Sequence, residues 1–579
     1  MFHVKNHKQL NLFDPWGHLG PKRRKLLDSS WSGLFQQKIL PELPVETLRS
    51  RYHEWNGRPT KELYSMMGLM ILQQMHDFTD DQAVEQFCFN IQWHYALNIT
   101  NVSDAASYIS HKSLWTMRNF MSTDETYNEI FDKALQTLAK LFKADLSKQR
   151  MDSVHVKSNM RNLGRIGLFA RTIKKFLVNL KRQHRSHFDQ LDESLTRRYL
   201  GKKEGSLFAM VKPSESSRTL DQLAEDVFIL TQHFGSEISI HDMSSFKLLV
   251  QLFKEQCMVA GDKTGSAEPK AVARPNKDVP SDSLQNPSDL DAGYSSHKGQ
   301  GYQVQVVENY TEGDDNQLSL ITHVAVEPAD RHDAGSLLPA LEKLKQRDML
   351  PKQILADSLY GSDSNCEQAQ KEHDVTVIAP AMPGNQKKMH LADFTINDQG
   401  WITSCPQGSK PIRVKKISTG FSASFTPSIC SECPVFKQCP VSKGKKAYYI
   451  RYKHKDIRLA QRRRIESTAS FKDKYRFRAG VEATMSEFDR RTGVKHLRVR
   501  GMKAVCFAAV MKAIGVNIFR ASRHRKWQID LPTPPYGAFA TVLAVCCLIK
   551  EQFKRRLQEY IAFYINFPPN RLNRLKMAF

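Results

Sequence analysis

The sequence predicts a mixed α/β protein: an all-helical region followed by a mixed sheet interrupted by two insertions. Three observations carry this. Residues 61–145 hold helical patterns without strand alternation. Arg150-Met151-Asp152-Ser153-Val154-His155-Val156-Lys157 alternates and is rich in β-branched residues, as a half-buried strand does. Further apolar runs at 301–307, 318–326, 352–356 and 375–379 are separated by helix-forming stretches, one near 335–346.

In chain order, residues 1–55 mix Pro, Gly, Trp and charge and read as an irregular arm. Gly57-Arg58-Pro59 opens a helical unit, taken as 56–147, with proline suited to a first helical turn. The run LYSMMGLMILQQM is apolar nearly all round and predicts a buried helix. Thr79-Asp80-Asp81-Gln82 offers an N-cap for the next helix, and others are expected at 111–121 and 125–145. Such a unit suits either a helix-turn-helix DNA reader or a packing domain. The sheet-bearing region is taken as 148–525, with insertions at 160–298 and 380–455. The first insertion is charged and helical to 258, then rich in Pro, Ser, Asp and Lys over 259–291, which reads as a solvated linker. Residues 526–579 read as a helical tail. Within it, Tyr536 to Ile549 is apolar but shorter than the roughly 20 residues a bilayer requires, so a buried helix is expected.

Net charge is +25 over 579 residues. That balance favours a polyanionic partner, most simply nucleic acid. Neither a basic amphipathic helix with an aromatic face nor a signal-peptide core stands out, so a cytoplasmic protein without a membrane partner is expected. Disulfides are rare in that compartment. Cys88, Cys257, Cys366, Cys506, Cys546 and Cys547 are scattered in apolar or helical surroundings and read as core. Cys405, Cys430, Cys433 and Cys439 are clustered as C-x24-C-x2-C-x5-C. Four thiolates with one C-x2-C knuckle suit a structural Zn²⁺; an iron–sulfur cluster and unliganded thiols are the alternatives. The basic run from Lys443 to Arg464 beside them suits either DNA or plain solvation.

Three acids stand out. Asp152 shares its strand face with Val154 and Val156, where a carboxylate needs a partner. Asp357 follows a short apolar strand and precedes a glycine turn, the usual place for a catalytic group in α/β sheets. Glu482 lies in Tyr475–Arg490, read as one helix. Tyr475, Arg478, Glu482 and Asp489 form one stripe of that helix, and Phe477, Val481, Met485 and Phe488 an apolar neighbour. An acid beside a cation and a phenol suits a site holding metal and phosphate together; a solvated charged face is the alternative. Asp330, Asp333 and Asp363 are nearby competitors, with Asp333 expected to cap a helix.

These features resemble the RNase H-like core of the DDE transposases of bacterial insertion sequences. The motif Y-x2-R-x3-E-x6-K is matched at Tyr475, Arg478 and Glu482 and departs at Asp489, where Arg490 or Lys495 stands near to supply the positive charge. Gly57-Arg58-Pro59, Asp291 to Ser295, His332-Asp333, Asp357-x2-Tyr360 and Arg500-Gly501 look like the same family, so the similarity spans roughly 35–525. The resemblance implies catalysis by Asp152, Asp357 and Glu482 holding two Mg²⁺ (or Mn²⁺) ions, and DNA contacts from Tyr475, Arg478, Arg490 and Lys495. It implies cleavage at the terminal repeats, joining of 3′-OH ends to target DNA, and a homodimer on DNA at the nucleoid. A metal-dependent nuclease of the same fold and an inactive DNA-binding descendant are the alternatives.

Overall fold

The computed structural model describes residues 2–9, 14–54, 56–57, 59–201, 211–260, 270–313, 317–382 and 389–524. The expected helix at 536–549 and the tail 526–579 lie outside them, as does Arg58.

The segment read as an irregular arm is folded. It carries α1 (Pro21–Ser29) and α2 (Trp31–Leu34), then a π turn (Phe35–Ile39) and two 3₁₀ turns ending at Arg51. Leu34, Phe35, Ile39, Leu40, Val45 and Leu48 are buried in the main core. Next come α3 (Leu63–Met75), α4 (Asp80–Phe89), α5 (Ile91–Ala96), α6 (His111–Thr123) and α7 (Thr126–Phe142). Helix α3 starts at Leu63, capped by the Glu62 carboxylate on the amides of Tyr64 and Ser65, so Pro59 is not in its first turn. Thr79 and Gln82 form the reciprocal capping box that starts α4.

Central sheet strands are β1 (Lys148–Lys157), then, after the first insertion, β4 (Gly293–Ser295), β5 (Gly299–Asn309), β6 (Ile321–Pro328), β7 (Gln353–Leu355) and β8 (Thr376–Ile378). Their order is β4-β5-β1-β7-β8, with β6 on β5. Strands β5 and β6 are antiparallel; β1, β7 and β8 run parallel. This is the mixed curled sheet of an RNase H-like core. Helix α11 (Leu337–Gln346) connects β6 to β7, and α12 (Asp363–His373) connects β7 to β8.

One core joins the N-terminal helices, the sheet and the last described helix, α16 (Met502–Arg523). Helices α3 and α16 touch backbone to backbone: a Cβ at Gly515 would approach Met75 Cα at 2.8 Å. Buried Lys512 bonds Asp77 Oδ1 at 2.8 Å, tying α16 to the turn after α3. Eleven of the α3 residues are buried, so α3 is a packing helix. Helix α16 is the one described helix long and apolar enough to cross a membrane; 72% of its apolar window is buried inside the fold.

The first insertion has a core of its own, built from α8 (Arg165–Gln183), α9 (Ser216–His233) and α10 (Ser244–Gln256). The described part of the stretch read as a linker is folded in places. A hairpin of β2 (Cys257–Ala260) and β3 (Lys270–Ala273) packs against α9, and Leu284 is buried in that core. Short apolar strands inside a polar composition escaped the periodicity reading.

The second insertion holds a two-stranded ladder, β9 (Thr395–Ile396) with β10 (Ile402–Ser404), and a four-stranded sheet. That sheet comprises β11 (Arg413–Ile417), β12 (Gly420–Phe425), β13 (Ser442–Lys443) and β14 (Tyr448–Tyr452), ordered β11-β12-β14-β13. Helix α13 (His454–Glu466) returns the chain to the core: Arg458 pairs with Asp363, and Arg462 donates to the Gly361 and Ala379 carbonyls.

Candidate active site

Asp152 sits mid-way along β1, opposite Val306 of β5. On its other side β1 pairs with β7, and the chain leaves β7 directly into Asp357. The Asp357 carboxylate accepts the amides of Leu359 at 2.8 Å and Tyr360 at 3.4 Å, which sets the turn. Burial pushes the Asp152 carboxyl up; Arg478 and the Ser153 amide pull it down, and the nearby charges of Asp357 and Asp333 push it up again. Those three carboxylates therefore lie within electrostatic reach of one another.

The segment bearing Glu482 is not one helix. Helix α14 (Ala469–Tyr475) ends at Tyr475, Arg476–Ala479 is a 3₁₀ turn, and α15 (Gly480–Thr492) begins two residues before Glu482. At the start of α15 the Arg150 guanidinium packs against Gly480: a Cβ there would stand 2.0 Å from Arg150 Nη1. The apolar stripe nonetheless seats α15, with Val481, Met485 and Phe488 buried. Phe477, on the 3₁₀ turn, stacks on Tyr310 at 5.8 Å between centroids.

Arg478 connects the two sides of the site. Its Nη2 donates to Asp152 Oδ2 at 2.8 Å and its Nη1 to Glu482 Oε1 at 3.3 Å. Its Nε–H is buried with no acceptor among the described residues. The Glu482 side chain is 69% exposed, whereas that of Asp152 is 17% exposed. Tyr475 stacks on Phe471 with centroids 5.5 Å apart; burial raises its pKa, as do the charges of Asp357 and Asp152, against the pull of Arg478. Asp489 lies two turns along α15 from Glu482 and bonds away from Arg478. It accepts the Lys495 amide at 3.1 Å, with the Lys495 ammonium 3.8 Å away, and Arg490 is exposed.

The competing acids resolve differently. His332, not Asp333, caps the turn Asp333–Ser336, because the His332 ring reaches the Ala334 amide first. Asp333 instead accepts from Gln305 Nε2 at 2.9 Å, and Gln305 Oε1 receives the Tyr360 hydroxyl at 2.5 Å. Asp363 is taken by Arg458.

Beneath the site lies a buried network that the sequence reading missed. Glu308 of β5 is 0% exposed; it receives Arg150 Nε at 2.7 Å, Arg520 Nη1 at 2.8 Å and Thr484 Oγ1 at 2.6 Å. Arg520 also reaches Glu487 at 2.8 Å, and Arg150 Nη1 donates to the Phe477 carbonyl at 2.6 Å. So β1, β5, α15, the 3₁₀ turn and α16 are clamped at one point. The available signal was a lone carboxylate in the otherwise buried strand GYQVQVVEN.

All four clustered cysteines fall in the second insertion. Cys405 opens a turn closed by Gly408, whose amide returns to the Cys405 carbonyl at 2.9 Å. Cys405, Cys430 and Cys439 share one small apolar core. Burial raises the Cys430 thiol pKa, and Cys439, Cys405 and Cys433 raise it further. All four are reduced. Among the described residues, no three His, Cys, Asp or Glu side chains converge as a formed metal cage, at these thiols or at the three acids.

Two family comparisons bear on this arrangement. A family described as "Transposase DDE domain" matches residues 404–521, which include the cysteines, Tyr475, Arg478 and Glu482. One described as "Transposase domain (DUF772)" matches residues 34–120, from α2 into α6. Comparison with curated proteins finds no match. Together with the fold, the two matches bear out the resemblance to the DDE transposases carried by insertion sequences.

Proposed function

We propose that the protein binds the terminal repeats of an insertion sequence, cleaves phosphodiester bonds there, and joins the 3′-OH ends to target DNA. The observation that carries this is Arg478, one guanidinium holding Asp152 and Glu482 at once with Asp357 alongside. Asp152, Asp357 and Glu482 are the hard oxygen donors that Mg²⁺ or Mn²⁺ takes, and the like charges crowding buried Asp152 are what a cation relieves. A pair of such ions supplies the Lewis acidity for in-line phosphoryl displacement.

The remaining work falls to the chain. The flat fork of Arg478, with its unsatisfied Nε–H, suits a bidentate DNA phosphate. Delivery of that phosphate moves the guanidinium off the carboxylates, so substrate entry and release of the acids are one event. Tyr475 offers a half-buried ring and a hydroxyl to the DNA end. Arg490 and Lys495 extend positive charge along α15 and past it, the role the motif gives its final lysine. Asp333, held by Gln305, stays beside the three acids as an orienting group.

Cys405, Cys430, Cys433 and Cys439 would hold a structural Zn²⁺, since four reduced thiols already share one neighbourhood. Two DNA ends require two active sites, so the working form is a homodimer assembled on DNA, at the nucleoid. A strand-transfer assay with Mg²⁺ and a duplex carrying the element's end tests the reading: wild type joins strands and Asp357→Ala does not. Cleavage without joining would leave a nuclease, and equal joining by the variant would remove Asp357 from the site.

A further inference from the structure

The net charge is concentrated. Residues 404–464 hold fifteen Lys or Arg against Glu432 and Asp456 alone, so about a tenth of the chain carries half of the +25. Four of those cations, all on α13, hold the insertion to its surroundings: Arg458 pairs with Asp363, and Arg462, Arg463 and Arg464 donate to backbone carbonyls. Asp456 is occupied capping the same helix. The other cations are exposed.

The register of the four-stranded sheet sorts them. Residues directly opposite one another lie on one face. One rung reads Arg413, Ser424, Tyr449, Ser442 across β11, β12, β14 and β13. The next reads Lys415, Ser422, Arg451. The opposite face carries Val414, Ala423, Ile450, Phe421, Tyr452 and Phe425, which pack into the small core with Cys439, and at its two outer strands the exposed Lys416 and Lys443. One face is therefore mostly apolar, and the other presents Arg413, Lys415, Arg451, Ser424, Ser442 and half-buried Tyr449 around buried Ser422, with no carboxylate. Arg413, Lys415 and Arg451 make no ion pair among the described residues. The β13–β14 turn adds exposed Lys445 and Lys446 at the edge, where Gly444 lets the chain close on the Tyr449 ring: a Cβ there would meet it at 2.6 Å.

We propose that this polar face of β11-β12-β14-β13 docks the sugar-phosphate backbone of duplex DNA, with Arg413, Lys415 and Arg451 on phosphates and Ser424, Ser442 and Tyr449 filling between them. The partner follows from charge complementarity. Strand spacing puts the three cations within about 12 Å of one another, and duplex DNA, with one negative charge per ~1.7 Å of axis, can meet all of them at once. An anionic membrane would also be attracted, but this face lacks the apolar side chains that would enter it. Single strands would be held mainly by stacking, and the face has a single ring. The contact is sequence-independent and positions the duplex. It rests on the transposase reading only for which DNA is brought there.

The test uses the full-length protein and fluorescence anisotropy on two duplexes, one carrying the element's end and one unrelated, from 50 to 300 mM NaCl (values about those customary for salt-slope work). The triple variant Arg413→Gln/Lys415→Gln/Arg451→Gln is compared with a control of equal charge change elsewhere, Lys343→Gln/Lys345→Gln/Lys371→Gln on exposed surfaces of α11 and α12. The account expects the face variant to weaken both duplexes alike and to flatten the log–log salt slope by about 2.7, close to 0.9 per phosphate contact. The control keeps the wild-type slope, and both variants keep the wild-type melting temperature. An unchanged slope in the face variant, or an equal loss in the control, overturns the proposal. So does loss of binding to vesicles rich in anionic lipid with DNA binding intact. None of these readouts requires catalysis, so a protein that joins no strands still tests the face.

Discussion

Arg520 and Glu308 meet at 2.8 Å inside the protein, with side chains 11% and 0% exposed. Their contact joins α16 to β5 directly beneath α15. A buried pair of this kind adds little over an apolar replacement, but removing one partner strands the other charge, at about 3–5 kcal/mol. Glu308→Gln leaves Arg150 without its carboxylate and Arg520 with Glu487 alone. We expect a loss of that order in chemical denaturation, with cleavage falling as α15 loosens. A loss below about 1 kcal/mol, the range of exposed pairs, would show that the clamp does not hold the helix.

Gly480 makes the same point by geometry. Alanine there places Cβ 2.0 Å from Arg150 Nη1. The guanidinium can swing aside only by giving up Glu308 and the Phe477 carbonyl. Gly480→Ala should destabilise by about 1–3 kcal/mol, the usual range for overpacking, although alanine favours a helix. A stabilised Gly480→Ala protein would contradict the close approach.

Arg478 is predicted to act on DNA through its fork. Arg478→Ala should weaken binding of cleaved-end DNA about 10- to 100-fold, the loss of a charged hydrogen bond of ~1.5–3 kcal/mol. Arg478→Lys should recover little of it, because an ammonium cannot make the paired contact. Full recovery by lysine would reduce the role to bulk charge.

His76 and His323 set a pH dependence of stability. Burial lowers His76 to about 4, among Trp31, Phe78, Trp93 and Phe519. Burial, then Arg347, lowers His323 to about 3. Each is neutral in the fold while its unfolded counterpart takes a proton below about 6.5, so the unfolded chain binds more protons and stability falls as pH drops from there. The slope for each is up to about 1.4 kcal/mol per pH unit, continuing to about pH 4 for His76. His76 Nε2 has no partner among the described residues, so His76→Phe should fold and show a shallower decline between pH 6.5 and 5 (roughly the window of the unfolded histidine) in denaturation midpoints. An unchanged decline would mean that His76 already titrates normally.

Strand alternation was enough to put Asp152 on β1 and Asp357 at the end of β7, because both strands follow simple period-two or apolar patterns. The apolar stripe of α15 was legible for the same reason. What periodicity could not show was the break before Gly480, where Arg150, hundreds of residues away in the chain, bonds the Phe477 carbonyl of the 3₁₀ turn. Nor could it show the partners of Glu308, each of which is an ordinary charged residue in its own segment. Residues 14–54 were misread because Pro, Gly and charge dominated the composition, while the contacts that bury Leu34 and Leu48 are made by the helices of the main core.

The central claim is that Asp152, Asp357 and Glu482 serve one metal site. Replacing Mg²⁺ with Fe²⁺ and adding ascorbate generates hydroxyl radicals wherever the ion sits, and the resulting backbone cuts can be mapped by mass spectrometry. The account predicts cuts beside all three acids, suppressed by excess Mg²⁺ and lost together in Asp357→Ala. Cuts confined to one of the three, or a pattern indifferent to Asp357→Ala, would contradict it.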